Sequence, residues 1–193
     1  MNIQAMGKLC KANGALGMYY VKGRLFLTDN RTMVEVPQRF PALRDEREAA
    51  AVFGWTDKQL ETVVVDVAEE EAASFVHGID MRDALAGEEQ CEQMRLGFML
   101  DGRELLILKA GGTVGFVDTA QLAPVKDELN RGQYLVFFRR FNKSGDPYYV
   151  LKDGMVLRLA VMPTVFTDDR MGTMLDEIRA GMVTYRPAEG EPE

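Results

Sequence analysis

Paired apolar runs folded about two-residue turns constrain this chain more than any other feature. Residues 17–21 (GMYYV), then Lys22-Gly23, then 24–28 (RLFLT) read as strand, tight turn, strand. Asp29-Asn30 makes a second turn into 32–36, and Pro37 stops that strand. The same grammar returns at 94–100, turning at Asp101-Gly102 into 104–108, and at 148–152, turning at Asp153-Gly154 into 155–161. Asp-Gly flanked by apolar runs is a strong hairpin signal, because both turn positions must tolerate a positive φ. A chain punctuated in this way cannot be all-helical; it must build antiparallel sheet.

Helical spacing precedes each hairpin cluster. In 2–12, Ile3, Met6, Leu9 and Cys10 fall on one side, and Asn13-Gly14 ends the run. A second helix is expected over 69–76, after a strand at 63–67, with Ala72, Phe75 and Val76 as its apolar members. A third is expected over 119–131, after a strand at 114–117, with Leu122, Val125 and Leu129 on one face. Asp118 is placed to cap it and Pro124 belongs in its first turn or so. One pattern, helix plus three strands, thus recurs over 2–37, 68–117 and 118–162. Letters echo as well: Tyr19-Tyr20-Val21 before Lys22-Gly23 matches Tyr148-Tyr149-Val150 before Lys152-Asp153-Gly154. No fixed short period exists, so a solenoid is not indicated. The expected class is α+β, mostly antiparallel, with helices on one face of the sheets. Residues 38–62 read as a crossing loop with a helical turn or two. Asp168-Asp169 can cap a last helix carrying Met171, Met174, Leu175 and Ile178, and 186–193 read as a disordered tail.

Composition narrows the function classes. With 193 residues and a formal charge of −7, the chain holds one large domain or two small ones and cannot bind nucleic acid by bulk charge; only a local basic face would serve. One histidine, His77, and two cysteines, Cys10 and Cys91, fit no zinc or redox spacing and no His-based catalytic triad. No cofactor, metal or enzymatic activity is expected. Apolar runs fall well short of a membrane span, and the opening residues lack a signal-peptide pattern, so the expectation is a cytoplasmic protein without a membrane partner.

The stretch 16–36, LGMYYVKGRLFLTDNRTMVEV, resembles the first hairpin region of bacterial DNA sliding clamps, the beta subunit of the replicative polymerase. Residues 63–79, VVVDVAEEEAASFVHGI, sit where a clamp has its second strand-and-helix element, and 94–117 resemble the strands that complete a clamp domain. The resemblance implies a clamp-like domain of two units over 1–117, a third unit or half domain over 118–162, and a C-terminal helix and tail over 163–193. It also implies double-stranded DNA met without sequence reading by helix-borne Lys and Arg, docking of replication proteins, and self-association into a ring. Twelve units close such a ring, so three per chain would require four chains. The peptide pocket of the family lies on a domain that has no counterpart here.

Four residues follow as candidate DNA contacts. Lys8 and Lys11 project opposite the apolar side of the first helix, where a clamp puts its inner lysines, and Lys126 and Arg131 lie on the third, interrupted by Asp127 and Glu128. Each also reads as an ordinary solvated face. Glu69, Glu70 and Glu71 suit the positive end of a helix dipole but would repel phosphate. That conflict keeps an alternative open: a protein-interaction or structural module of a mobile element that retains the fold without DNA binding. Arg139 and Arg140 are neighbours in a strand and must face opposite ways; Lys143 and Lys152 lie near hairpin ends. Gly111-Gly112 is a turn rather than a phosphate cradle, Cys10 is core, His77 suits a helix C-terminus, and Met171, Met174 and Met182 pack by default or form a docking face.

Overall fold

The computed structural model describes residues 1–21, 23–37, 43–68, 78–100, 102–129 and 134–165, with Thr173, Asp176 and Ala180. The helix expected at 69–76, His77, Arg131, the apolar members Met171, Met174, Leu175 and Ile178 of the expected last helix, Met182, and the tail 186–193 lie outside them, while Thr173, Asp176 and Ala180 are helical. The protein is mixed α+β, mostly strand with few helices.

The first helix, α1 (Ile3–Asn13), begins where the Asn2 side chain accepts the Ala5 N–H and ends at Gly14, whose φ of 65° only glycine adopts without strain. It leads into β1 (Ala15–Val21), β2 (Arg24–Thr28) and β3 (Thr32–Val36), paired as successive hairpins with Val21 opposite Arg24. The second turn is held by the Asp29 carboxylate, which accepts the Arg31 and Thr32 N–H groups and leaves Asn30 at φ 73°. The crossing segment contains α2 (Glu46–Phe53), capped by Asp45, and the single turn α3 (Asp57–Leu60). It delivers β4 (Val64–Ala68) parallel to β1.

Further strands are β5 (Glu89–Gln90), β6 (Glu92–Leu100), β7 (Arg103–Ala110) and β8 (Thr113–Asp118), the last two joined through the Gly111-Gly112 turn. The stretch expected as a helix over 119–131 begins as a 3-10 segment, Thr119–Val125, and only one α turn follows, α4 (Lys126–Leu129). Asp118 caps it as anticipated, accepting the Ala120 N–H. Pro124 explains the departure from α geometry: it has no N–H for the Ala120 carbonyl and its ring crowds that group. Three more strands complete the order, β9 (Leu135–Phe141), β10 (Pro147–Asp153) and β11 (Val156–Val161).

The described strands make two sheets, one of eight in the order β4-β1-β2-β3-β11-β10-β9-β5 and one of three, β6-β7-β8. The first and third sequence blocks therefore share a sheet. They meet at β3 and β11, with Val34, Met33 and Thr32 opposite Leu159, Ala160 and Val161. Of the middle block, β6, β7 and β8 stand apart in the small sheet, while the short β5 joins the large one beside β9. On one face of the large sheet, Ile3, Met6 and Cys10 of α1, Phe53 of α2 and Leu122 and Val125 of the 3-10 segment form a single core with Met18, Leu27, Val34, Leu151 and Leu159. On the reverse face Tyr19, Phe26, Met33, Tyr148 and Val150 pack against Ile79 and Met81. The small sheet adds a third cluster of Leu105, Ile107, Val114 and Phe116.

Candidate functional site

α1 lies flat on the sheet because Ile3, Met6, Gly7 and Cys10 form its buried side. Its outer side carries Gln4, Lys8 and Lys11, all exposed and spaced to form one stripe. Along one flank runs α2, whose Phe53 sits over Gly7. Along the other runs the 3-10 segment, where the Pro124 carbonyl accepts the Asn2 N–H at 2.6 Å and the N-terminal ammonium of Met1 pairs with Glu128. Lys126 is exposed at the start of α4, beside the beginning of α1. Measured along α1 from Asn2, Lys8 and Lys11 stand about 9 and 14 Å away at a rise near 1.5 Å per residue. Two of the four expected cations thus share a stripe and a third stands near its end, while the fourth, Arg131, falls outside the described residues. Among the described residues no carboxylate lies within ion-pair distance of Lys8, Lys11 or Lys126.

The neighbouring elements carry acids as well as the exposed Arg44 and Arg47. Exposed Asp45 and Glu46 stand at the start of α2, and Asp127 follows Lys126 directly. The α2 acids lie about 10 Å along that helix from Phe53, close to one Debye length at physiological salt. Glu128 is answered by Met1, so it does not cancel Lys126. Glu69, Glu70 and Glu71, the acids expected on the second helix, are outside the described residues. Nothing local in 38–62 reveals that α2 packs against α1.

Three other basic residues, Arg139, Arg140 and Lys152, serve the fold. Arg139 and Arg140 do face opposite ways. Arg139 pairs with Glu89 and lies over the Phe141 ring at 5.1 Å. Arg140, whose side chain is fully buried, donates to the Asp80 and Arg82 carbonyls at 2.9 Å each and to the Glu88 carboxylate at 2.6–2.9 Å. Lys152 is buried too, where it completes Glu88 from the other side. Burial works against the Glu88 charge, but hydrogen bonds from Lys152 and Arg140 outweigh it and hold that carboxyl below its ordinary pKa. These contacts clip the segment around 80–88 onto the reverse face of the large sheet. The Tyr148 hydroxyl adds to them by accepting the Asp80 N–H at 3.1 Å.

Neither thiol is poised for chemistry. Burial, with the nearby Asp29 carboxylate, pushes the Cys10 thiol far up, and burial pushes Cys91 up to about 11. Among the described residues no three or more His, Cys, Asp or Glu side chains are grouped to hold a metal ion. No described helix is long and apolar enough to cross a membrane. What the outer face of α1 offers is the two ammonium groups of Lys8 and Lys11 with the Gln4 amide along one stripe. No protein-family model, curated protein or solved structure matches the chain.

Proposed function

We propose that the protein is a non-enzymatic, DNA-associated module resembling a sliding clamp, which touches duplex backbone through the outer face of α1 and docks replication proteins on its remaining surface. The observation that carries this reading is the stripe of Lys8 and Lys11, exposed and unmatched by any described carboxylate, with Lys126 at its near end. The architecture lends support. Outward from the β3–β11 seam the strands run β3-β2-β1 on one side and β11-β10-β9 on the other, each triplet preceded in the chain by a helical segment. Those two helical segments lie side by side on one face. Ammonium groups on such a face meet phosphates as point charges, directly or through water, and make no base-specific contact.

A labelled random-sequence duplex titrated at low salt tests the proposal by fluorescence anisotropy. The expected result is weak binding, indifferent to sequence, that rising salt removes. Lys8→Ala with Lys11→Ala should weaken it by at least about tenfold, since each lost phosphate contact removes its counterion release. Absence of binding at low salt would instead favour the protein-interaction module. The observation on that side is the presence of Asp45, Glu46 and Asp127 on the elements beside α1, in a chain of net charge −7.

A further inference from the structure

β4 ends the eight-stranded sheet, and no described strand pairs with its outer side. The Val64 N–H is given to the Gly14 carbonyl at 2.9 Å, and β4 runs parallel to β1 with Val64 opposite Ala15. In a parallel ladder alternate residues turn both backbone groups to the same neighbour. Val64 and Asp66 therefore face β1, while Val65 and Val67 aim their N–H and C=O groups at the open side. This edge lacks the usual protections: it has no Lys, no Pro and no bulge, and Val64 and Val67 are 77% and 42% exposed. Its one charge, Asp66, is engaged on the reverse face by the Tyr19 hydroxyl at 2.9 Å.

Beside the edge, on the helix-bearing face, lies a groove of about 990 Å³. Val65 and Val67 form its floor, Ala51, Trp55 and Leu60 its wall, and Glu46, Asp57 and Glu61 its rim, with Arg47 the one cation among the described lining residues. Apolar floor, acidic rim and open backbone adjoin one another at this edge. We propose that β4 binds an extended segment of a partner protein in which Lys or Arg alternates with apolar residues, and which adds to the sheet as a further strand. Its backbone would pair with Val65 and Val67. Basic side chains would lay their methylene stems along Val67 and Trp55 and carry their charges to the three rim acids. The apolar side chains, on the other face, would cover Val64. This goes beyond the DNA reading and does not depend on it.

The test uses a short labelled peptide of alternating valine and lysine, followed by anisotropy with the full chain. Two further versions are N-methylated at every second residue, one on each edge. Saturable binding is expected, with one N-methylated version weakened at least about tenfold and the other unaffected, because only one edge of the peptide can pair. Glu46→Lys with Asp57→Lys and Glu61→Lys, all at exposed positions, should weaken binding to a similar degree, and exchange of the Val65 and Val67 amides should slow on binding. Absence of saturable binding, equal binding of both N-methylated versions, or an unaffected triple variant would each overturn the proposal. So would self-association of the free protein that Val67→Lys abolishes, since a second copy would then occupy the edge.

Discussion

Arg140 carries a full charge into the interior, and its surroundings explain how that is tolerated. Carbonyls of Asp80 and Arg82 take some of its donors, and the Glu88 carboxylate is shared between it and Lys152. Removing the shared anion would leave two buried cations without their partner, a loss that costs about 3 kcal/mol when a buried pair is broken. Glu88→Gln should therefore lower stability by about that amount at neutral pH in urea denaturation. The sign of its pH dependence follows from the depressed pKa. A carboxyl titrating below its ordinary value of 4.5 stabilises fully above that value, and the contribution drains away as pH falls through the folded-state value. The deficit of the Gln variant should shrink on acidification below about pH 4.5; an equal deficit from pH 7 to pH 3 contradicts the assignment. The thiols give a second check. With both buried and shifted upward, neither Cys10 nor Cys91 should react with iodoacetamide at pH 8 until the chain is unfolded. Strand alternation made the opposed directions of Arg139 and Arg140 legible in the sequence. The burial of Lys152 was not, because its partner lies 64 residues away and no local pattern announces a contact of that range.

At the scale of elements, α1 and α2 meet where a side chain is missing. A Cβ on Gly7 would stand 2.6 Å from Phe53 Cγ, too close for a ring anchored by its own helix to yield. Alanine in a helix interior ordinarily gains about 1 kcal/mol over glycine. Here overpacking should reverse the sign, and Gly7→Ala should cost about 1–2 kcal/mol, read as a lower urea midpoint at unchanged slope. A gain would mean that the two helices do not touch at this point. α1 was legible from its apolar side and terminal glycine, both local signals, though Asn2 caps the helix rather than opening it, and the hairpins that follow were legible too. The 119–131 stretch was less so. Leu122, Val125 and Leu129 have helical spacing, yet Pro124 excludes the hydrogen bonds of an α-helix and a 3-10 segment takes its place.

At the scale of the whole molecule, a helical segment precedes three strands in the first and third blocks, whereas the helix expected in the middle block lies outside the described residues and that block holds four strands, β5 to β8; the sequence does not reveal which blocks join. Alternating apolar residues look the same in β3, β8 and β11, and only tertiary assembly decides that β3 meets β11 across three residue pairs. The consequence for the proposed DNA contact is that α1 and the start of α4 share one side of the large sheet, which limits how many phosphates that face would meet. The expected DNA contacts among the described residues are Lys8, Lys11 and Lys126. Counterion release contributes a slope of about −0.9 per contact to log K against log salt on duplex DNA, so three contacts should give a slope of about −3. The double variant Lys8→Ala with Lys11→Ala should retain a slope of about −1. The net charge of −7 opposes approach of the duplex, which is why binding should be weak as well as shallow in salt. A measured slope near −6 would require cations from elsewhere on the chain, and the α1 face would then lose its claim to be the principal contact.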